Sequence, residues 1–188
     1  MLVRTWVYGP ILVAALAWGV SAGEVGFAGF CLLIPAGLLA WTVLEYLIHR
    51  FAFHGFAPHW QHHENPTDPA YILAPLWLSL SAAGALGVGF ALALHSGARA
   101  ALIVAGIVVG YLAYELVHLA IHSPRAGGRF LRTLRKRHYY HHFASDRVCY
   151  GVTSPLWDAV FRSLPQRGRE TVYHERDGRS AYDSTHNV

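Results

Sequence analysis

Four long apolar segments alternate with polar ones along the chain, and this pattern predicts the architecture. The segments cover residues 6–22, 26–47, 72–94 and 100–121. About 20 helical residues at about 1.5 Å rise cover the roughly 30 Å hydrocarbon core of a bilayer, so each segment is long enough to span it. We therefore expect an all-α integral membrane protein built as a four-transmembrane-helix bundle.

The first segment has a second interpretation. Arg4 precedes it and Val20-Ser21-Ala22 ends it, as in a cleaved signal peptide. A second apolar segment begins almost at once, and nothing downstream resembles a secreted domain. These two features favour a membrane span.

The links between the segments predict the orientation. Two links are very short, residues 21–25 and 95–99, and they hold a single basic residue between them. The other side carries Arg4, Arg50 and the arginine-rich run 125–137. The positive-inside rule then places both termini and the longer connections in the cytoplasm, with the protein in a bacterial inner membrane or in a eukaryotic endoplasmic reticulum.

The short links also predict two antiparallel hairpins, one of the first and second helices and one of the third and fourth. The longer connections would form a small cytoplasmic helical cap. Residues 1–163 would be the membrane-embedded domain. The polar tail 164–188 has no apolar periodicity and is expected to be flexible.

Composition agrees with a membrane protein. Hydrophobic residues make up 54% of the chain and charged residues only 14%, which is too apolar for an ordinary soluble domain. The net charge of +4 is a modest bias, better suited to lipid phosphates than to a nucleic-acid surface. Two distant cysteines, Cys31 and Cys149, cannot form a disulfide framework. The unusual number is 13 histidines.

Ten of these histidines form four clusters on the predicted cytoplasmic side. The clusters are His49 with His54; His59, His62 and His63; His118 with His122; and His138, His141 and His142. The other three, His95, His174 and His186, stand alone, and we expect them to be ordinary surface residues.

The spacing within the clusters suits metal binding. Residues i, i+3 and i+4 share one face of a helix, and the i, i+4 pair His118 and His122 has the spacing by which two imidazoles chelate one ion. His49 and His54 lie about 140° apart on a regular helix, so joint binding requires the helix to loosen or end between them. The segment Phe53-His54-Gly55 is a plausible place for that change.

Ten imidazoles exceed the four ligands of one closed tetrahedral site, so the sequence predicts two metal ions. One division gives His49, His54, His59, His63 and His141 to the first ion and His62, His118, His122, His138 and His142 to the second. The set of ten does not depend on this division, and the spacing alone leaves open which histidine binds which ion.

Two acidic residues precede ligands by one helical turn. Glu45 lies four residues before His49, and Glu115 lies three residues before His118. Such carboxylates are well placed to accept the second imidazole N–H and fix its tautomer. The competing interpretation is a salt bridge to Arg50 or to the run 125–137.

Three segments resemble the fatty acid hydroxylase and sterol desaturase superfamily, and within it the catalytic domain of fatty acid 2-hydroxylases. They are Glu45-Tyr-Leu-Ile-His-Arg-Phe-Ala-Phe-His54, Gly110-Tyr-Leu-Ala-Tyr-Glu-Leu-Val-His118, and His138-Tyr-Tyr-His-His142 followed by Tyr150-Gly-Val-Thr-Ser-Pro-Leu-Trp-Asp-Ala-Val-Phe161. The resemblance implies a dinuclear metal centre, iron in the active form, that uses O2 and two electrons to hydroxylate an aliphatic C–H of a fatty acyl lipid. A purified sample could hold zinc, because Zn2+ binds such ligands more tightly than Fe2+.

The chain departs from the longer eukaryotic members of this family in ways that leave the substrate open. It has no H-P-G-G haem motif, so we expect no fused cytochrome b5 domain, and the link 55–58 between the first two clusters is very short. Carotenoid or sterol-type hydroxylation or desaturation at the same site is the alternative. A histidine-rich metal transporter or sensor is the non-enzymatic alternative, but a transporter places ligands near the bilayer midplane, which is apolar here.

Oxygen activation needs two electrons, and the chain has no dinucleotide fingerprint to collect them. We therefore expect a separate electron donor, a cytochrome b5-like protein or a ferredoxin, to dock on the basic stretch Arg125, Arg129, Arg132, Arg135, Lys136 and Arg137. The alternative is that these residues contact anionic lipid headgroups.

Overall fold

The computed structural model of the protein describes residues 2–55, 57–123 and 127–165. Within these ranges the secondary structure is helical, without strands. The α-helices are α1 (Leu2–Ser21), α2 (Phe27–Leu47), α3 (Ala57–Glu64), α4 (Pro69–Ile72), α5 (Leu76–Leu94), α6 (Gly97–His122), α7 (Arg129–Phe143) and α8 (Leu156–Val160). A π-helical turn (Ile48–Ala52) and a 3-10 turn (Phe53–Gly55) continue α2.

Four stretches of helix are long and apolar enough to cross a bilayer, which confirms the predicted four-helix membrane fold. They are Val3–Ser21, Phe27–Gly55, Pro69–Leu94 and Gly97–His122. The helices α3, α7 and α8 lie outside these stretches. The predicted flexible tail falls almost entirely outside the described residues, and so do His174, His186 and Arg125.

Helix α6 is the centre of the bundle. It packs against α1, α2 and α5 and buries many of its residues, whereas α5 buries none fully. The prediction that α1 and α2 pack against each other as a pair is wrong, because α1 makes its main contacts with α6. The reason lies in the polar side chains of α1: Tyr8 is buried, its ring packs edge-on against Tyr111, and its hydroxyl bonds the Ser79 hydroxyl of α5.

Two glycines allow α2 and α6 to cross at close range. A Cβ atom on Gly37 would lie 2.1 Å from the carbonyl oxygen of Ile103, and one on Gly106 would lie 2.2 Å from the carbonyl oxygen of Ile34. Small residues at such crossings are what lets membrane helices pack backbone to backbone. This crossing fixes the two helices that carry His49 and His118 relative to each other.

Candidate metal centre

The ten clustered histidines converge at one end of the bundle in two groups. In each group, one ring nitrogen from every histidine lies within 4.8 Å of those of the others. Group one comprises His49, His54, His59, His63 and His141. Group two comprises His62, His118, His122, His138 and His142. These are the two sets that the spacing suggested, and His95 lies at the opposite end of the bundle, after α5.

The π-helical turn explains how His49 and His54 join the same group. In a π-helix the hydrogen bonds run from residue i to i+5, so residues five apart lie one above the other. The turn Ile48–Ala52 therefore brings the two rings to 5.5 Å between centroids. The helix does loosen, as the spacing required. The change begins at Ile48, five residues before Phe53, where the expected segment starts.

Helices α3 and α7 each supply ligands to both groups. On α3, His59 and His63 join group one while His62 turns to group two; on α7, His138 and His142 join group two while His141 turns to group one. The middle histidine of each triplet lies beside the pair from the other helix, with His62 4.6 Å from His142 and His141 5.0 Å from His63 between ring centroids. The two groups are thus interleaved side by side.

Group two shows the closest approach of ring nitrogens. The Nε2 atom of His138 lies 2.9 Å from that of His118, 2.9 Å from that of His122 and 3.0 Å from that of His142. Several imidazole nitrogens facing one point at this distance form the donor set of a single bound ion. The same convergence occurs in group one, where the Nε2 atoms of His59 and His63 are 3.1 Å apart.

Buried nitrogen atoms without hydrogen-bond partners support this interpretation. The Nε2 atoms of His49, His54 and His141, and both nitrogens of His62, are buried and unpartnered among the described residues. A buried polar atom without a partner costs free energy, so such atoms are rare unless something else binds them. The residues present therefore fit a metal ion in each group.

The protonation state of these rings also suits metal binding. Burial, reinforced by neighbouring histidines, lowers the pKa of His62 to about 2, and burial is the main reason why the pKa of His63 falls to about 4 and that of His141 to about 3. The pKa values of His59, His138 and His142 are lowered for the same reasons. These imidazoles are neutral at pH 7, which is the form that coordinates metals.

Backbone carbonyl groups fix the orientation of two imidazoles of group one. The Nδ1–H of His49 donates to the carbonyl oxygen of Tyr150 at 2.6 Å, and that of His141 donates to the carbonyl oxygen of Val148 at 2.7 Å. Each bond leaves the lone pair of Nε2 free and directed at the other ring nitrogens of the group. Sequence spacing gave no indication of this role for residues 148–150.

The expected role of Glu45 is wrong. Its carboxylate accepts hydrogen bonds from the backbone N–H groups of Val152 and Thr153, both at 2.8 Å, and from the Thr153 hydroxyl. The side chain is buried against the loop that follows α7, and two backbone donors there satisfy it. Any effect on His49 passes through that loop.

Among the described residues, Glu115 does not accept an imidazole N–H either. It forms a salt bridge, but with Arg4 and not with Arg50 or the described part of the run 125–137. Arg4 donates to Glu115 at 2.9 Å, while the Tyr111 hydroxyl also bonds this carboxylate. Arg4 additionally donates to the Tyr111 hydroxyl and to the carbonyl oxygen of Ala74. This buried network ties α1 and the segment just before α5 to α6.

The basic stretch before His138 divides into a buried and an exposed part. Arg135 is buried, donating to the carbonyl oxygens of Ile121 at 2.7 Å, Ser123 at 2.8 Å and Ala120 at 3.2 Å, so it caps the end of α6. It cannot belong to a docking surface, and Arg137 is half-buried. The exposed residues form what we call the basic face of α7: Arg129, Arg132 and Lys136.

Comparison with known proteins gives concordant matches. A family model described as fatty acid hydroxylase matches residues 34–163. The chain is 32% identical to the dihydroceramide fatty acyl 2-hydroxylase FAH2 of Arabidopsis thaliana over 83% of its length, and 33% identical to the fatty acid 2-hydroxylase of Rattus norvegicus over 70%. It spans 70% of the plant relative and 39% of the rat relative.

A solved structure shares this fold over most of the chain. It is the structure of full-length Scs7p, in which only the hydroxylase domain is visible, and it superimposes with a TM-score of 0.76 at 28% sequence identity. The match covers 86% of this chain and 65% of that one.

Proposed function

The chain belongs to the fatty acid hydroxylase family, and from that premise we propose that it is a membrane monooxygenase that hydroxylates an aliphatic C–H bond of a fatty acyl lipid. The names of the plant and rat relatives specify 2-hydroxylation, and we extend that position to this chain. The balanced reaction combines the C–H substrate, O2, two electrons and two protons, and gives the alcohol and water.

The observation that carries the proposal is the pair of five-histidine groups at one end of four candidate membrane spans. We propose that each group holds one iron ion in the active enzyme. Two iron ions would supply the redox chemistry that O2 activation requires, while the protein supplies binding, orientation and a shielded site. A donor set made of neutral imidazoles suits iron and also accepts zinc.

A cavity beside the histidines supports an apolar substrate. It reaches His59 of group one and His118 of group two, and therefore borders both groups. The rest of its lining is largely apolar or aromatic: Phe53, Pro58, Ile72, Leu73, Ala74, Pro75 and Tyr114. Such walls would hold a methylene group of an acyl chain next to the ligands and exclude water from it.

Electrons must reach this site from outside the fold. We propose that a cytochrome b5-like protein or a ferredoxin docks on the basic face of α7, whose helix carries ligands of both groups. Exposed cations would attract an acidic donor and raise its association rate at low salt. We also propose that this end of the bundle faces the cytoplasm, in accord with the arginine distribution.

Lipid analysis of expressing cells tests the function. Cells that express the protein under 18O2 should accumulate 2-hydroxy acyl lipids carrying one 18O atom, whereas cells expressing the His118→Ala variant should not. His95→Ala is the matched control, because His95 is the histidine after α5 at the other end of the bundle.

Hydroxylation at another carbon, or a new double bond without 18O, would refute the proposed reaction. Uptake of metal without any change in the lipids would favour the transporter interpretation.

A further inference from the structure

We propose that the two histidine groups have separate supports, so that either metal site can be lost while the other is retained. Glu45 and Asp158 support group one through the loop between α7 and α8, and Arg135 supports group two through the end of α6. This inference rests on the proposed metal binding and assigns positioning residues within it.

Group one depends on the loop for the orientation of two of its ligands. The Tyr150 and Val148 carbonyl oxygens accept the Nδ1–H groups of His49 and His141, which come from two different helical elements. Moving the loop would therefore release both imidazoles at once.

Two buried carboxylates hold that loop through four consecutive backbone N–H groups. Asp158 accepts from Tyr150 and Gly151, both at 2.9 Å. Glu45 accepts from the next two, Val152 and Thr153, both at 2.8 Å. Asp158 is 1% exposed and Glu45 is 4% exposed, so both carboxyl groups are shielded from water where they bind the loop. Sequence spacing singled out Glu45 for another role and missed Asp158.

The loop has little freedom to adopt another path. A Cβ atom on Gly151 would lie 2.1 Å from the carbonyl oxygen of Ser154 and 3.0 Å from the Asp158 carboxylate, so only glycine fits there. The Ser163 hydroxyl donates to Asp158 at 2.7 Å and also bonds the Tyr46 hydroxyl at 2.9 Å. These contacts fasten the loop and the following helix to α2.

In the part of the chain that the structure describes, group two makes no comparable contact with the loop. The Nδ1 atoms of His118, His122, His138 and His142 have no hydrogen-bond partner among the described residues. Two of these ligands lie on the last turns of α6, where carbonyl groups lack partners within the helix. Arg135 supplies three hydrogen bonds to that end, and so fixes the path of the backbone around His122.

Metal analysis of the purified full chain would test the two supports. Asp158→Asn and Glu45→Gln keep the shape of each side chain and replace one acceptor oxygen with an NH2 group, which donates instead of accepting. For each single variant we expect the metal content to fall from about two ions per chain to about one. Arg135→Gln should also leave about one ion. Glu64→Gln, which changes an exposed carboxylate on α3, should leave two.

Combined variants identify which ion is lost. Adding His49→Ala to Asp158→Asn should remove no further metal, because both changes act on group one, whereas adding His118→Ala should bring the content near zero. In the Arg135→Gln background we expect the opposite. Adding His118→Ala should remove no further metal, whereas adding His49→Ala should bring the content near zero. Helical content by circular dichroism should match the parent chain in each single variant.

The outcomes separate this inference from the proposed function. If Asp158→Asn loses both ions together, or keeps both, the separate supports are refuted while two-metal binding stands. A parent chain that binds no metal would refute the proposed metal centre itself.

Discussion

The close crossing of α2 and α6 predicts a specific loss of stability on the smallest possible substitution. Gly37→Ala would place a methyl group 2.1 Å from the carbonyl oxygen of Ile103 and 3.0 Å from the Cα atom of Gly106. A relaxed carbon–oxygen contact is about 3.3 Å, so the helices would have to separate by roughly 1 Å. Backbone atoms cannot rotate away as a side chain can, and the strain has to spread along both helices.

Overpacking of this kind costs about 2 kcal/mol, which corresponds to roughly 4–8 °C in the midpoint of thermal unfolding for a chain of this size. The measurement is thermal unfolding of the protein in detergent, followed by circular dichroism. Gly84→Ala is the matched control, since its Cβ atom would meet nothing within 4 Å on the exposed face of α5, and we expect its midpoint to equal that of the parent chain or exceed it.

A double variant strengthens the test. Gly37 and Gly106 face each other across one crossing, so separating the helices once relieves both methyl groups. Gly37→Ala combined with Gly106→Ala should therefore cost less than the sum of the two single changes. A Gly37→Ala midpoint at or above that of the parent chain, or strict additivity of the pair, would refute the backbone-to-backbone packing.

Three further predictions concern the site and its orientation. Elemental analysis should find about two metal ions per chain, and changing His118 and His122 together to alanine should remove at least one; a parent ratio near one would contradict two ions, whereas zinc in place of iron would not. Glutamine at all three positions of the basic face of α7 should slow turnover with a protein donor at low salt without changing metal content, and unchanged donor-dependent turnover would assign this face to lipid headgroups. A cysteine in place of half-exposed Trp60, in a background without the two native cysteines, should react only with a probe applied from the cytoplasmic side, and labelling from outside alone would overturn the orientation.

The pairing of histidines within one helix could be predicted, because it depends on local spacing. Residues i and i+4 of one helix share a face, so His59 pairs with His63 and His138 pairs with His142 whatever the rest of the fold does. The four spans could be predicted for a similar reason, since their length and apolar composition are properties of continuous segments.

The partners of the acidic residues could not be predicted, because they come from distant parts of the chain. Glu45 meets Val152, 107 residues away, and Arg4 reaches Glu115 from the first turns of α1. The spacing of residues along one helix carries no information about contacts with distant segments of the chain. The burial of Arg135 did have a local signal, since it lies three residues before His138 and therefore on the same side of α7.

Because a π-helical turn follows α2, the number of residues between His49 and His54 is itself a constraint. Phe51 and Ala52 are exposed, so we expect substitutions there to have little effect. Deleting either residue is different, because it would rotate His54 by about 100° relative to the membrane helix that carries Gly37 and Glu45. The extra residue lets one continuous helix keep one rotational phase for packing along the bundle and another for the ligands at its end. A survey of substitutions would pass over this requirement, and only a change in residue count would expose it.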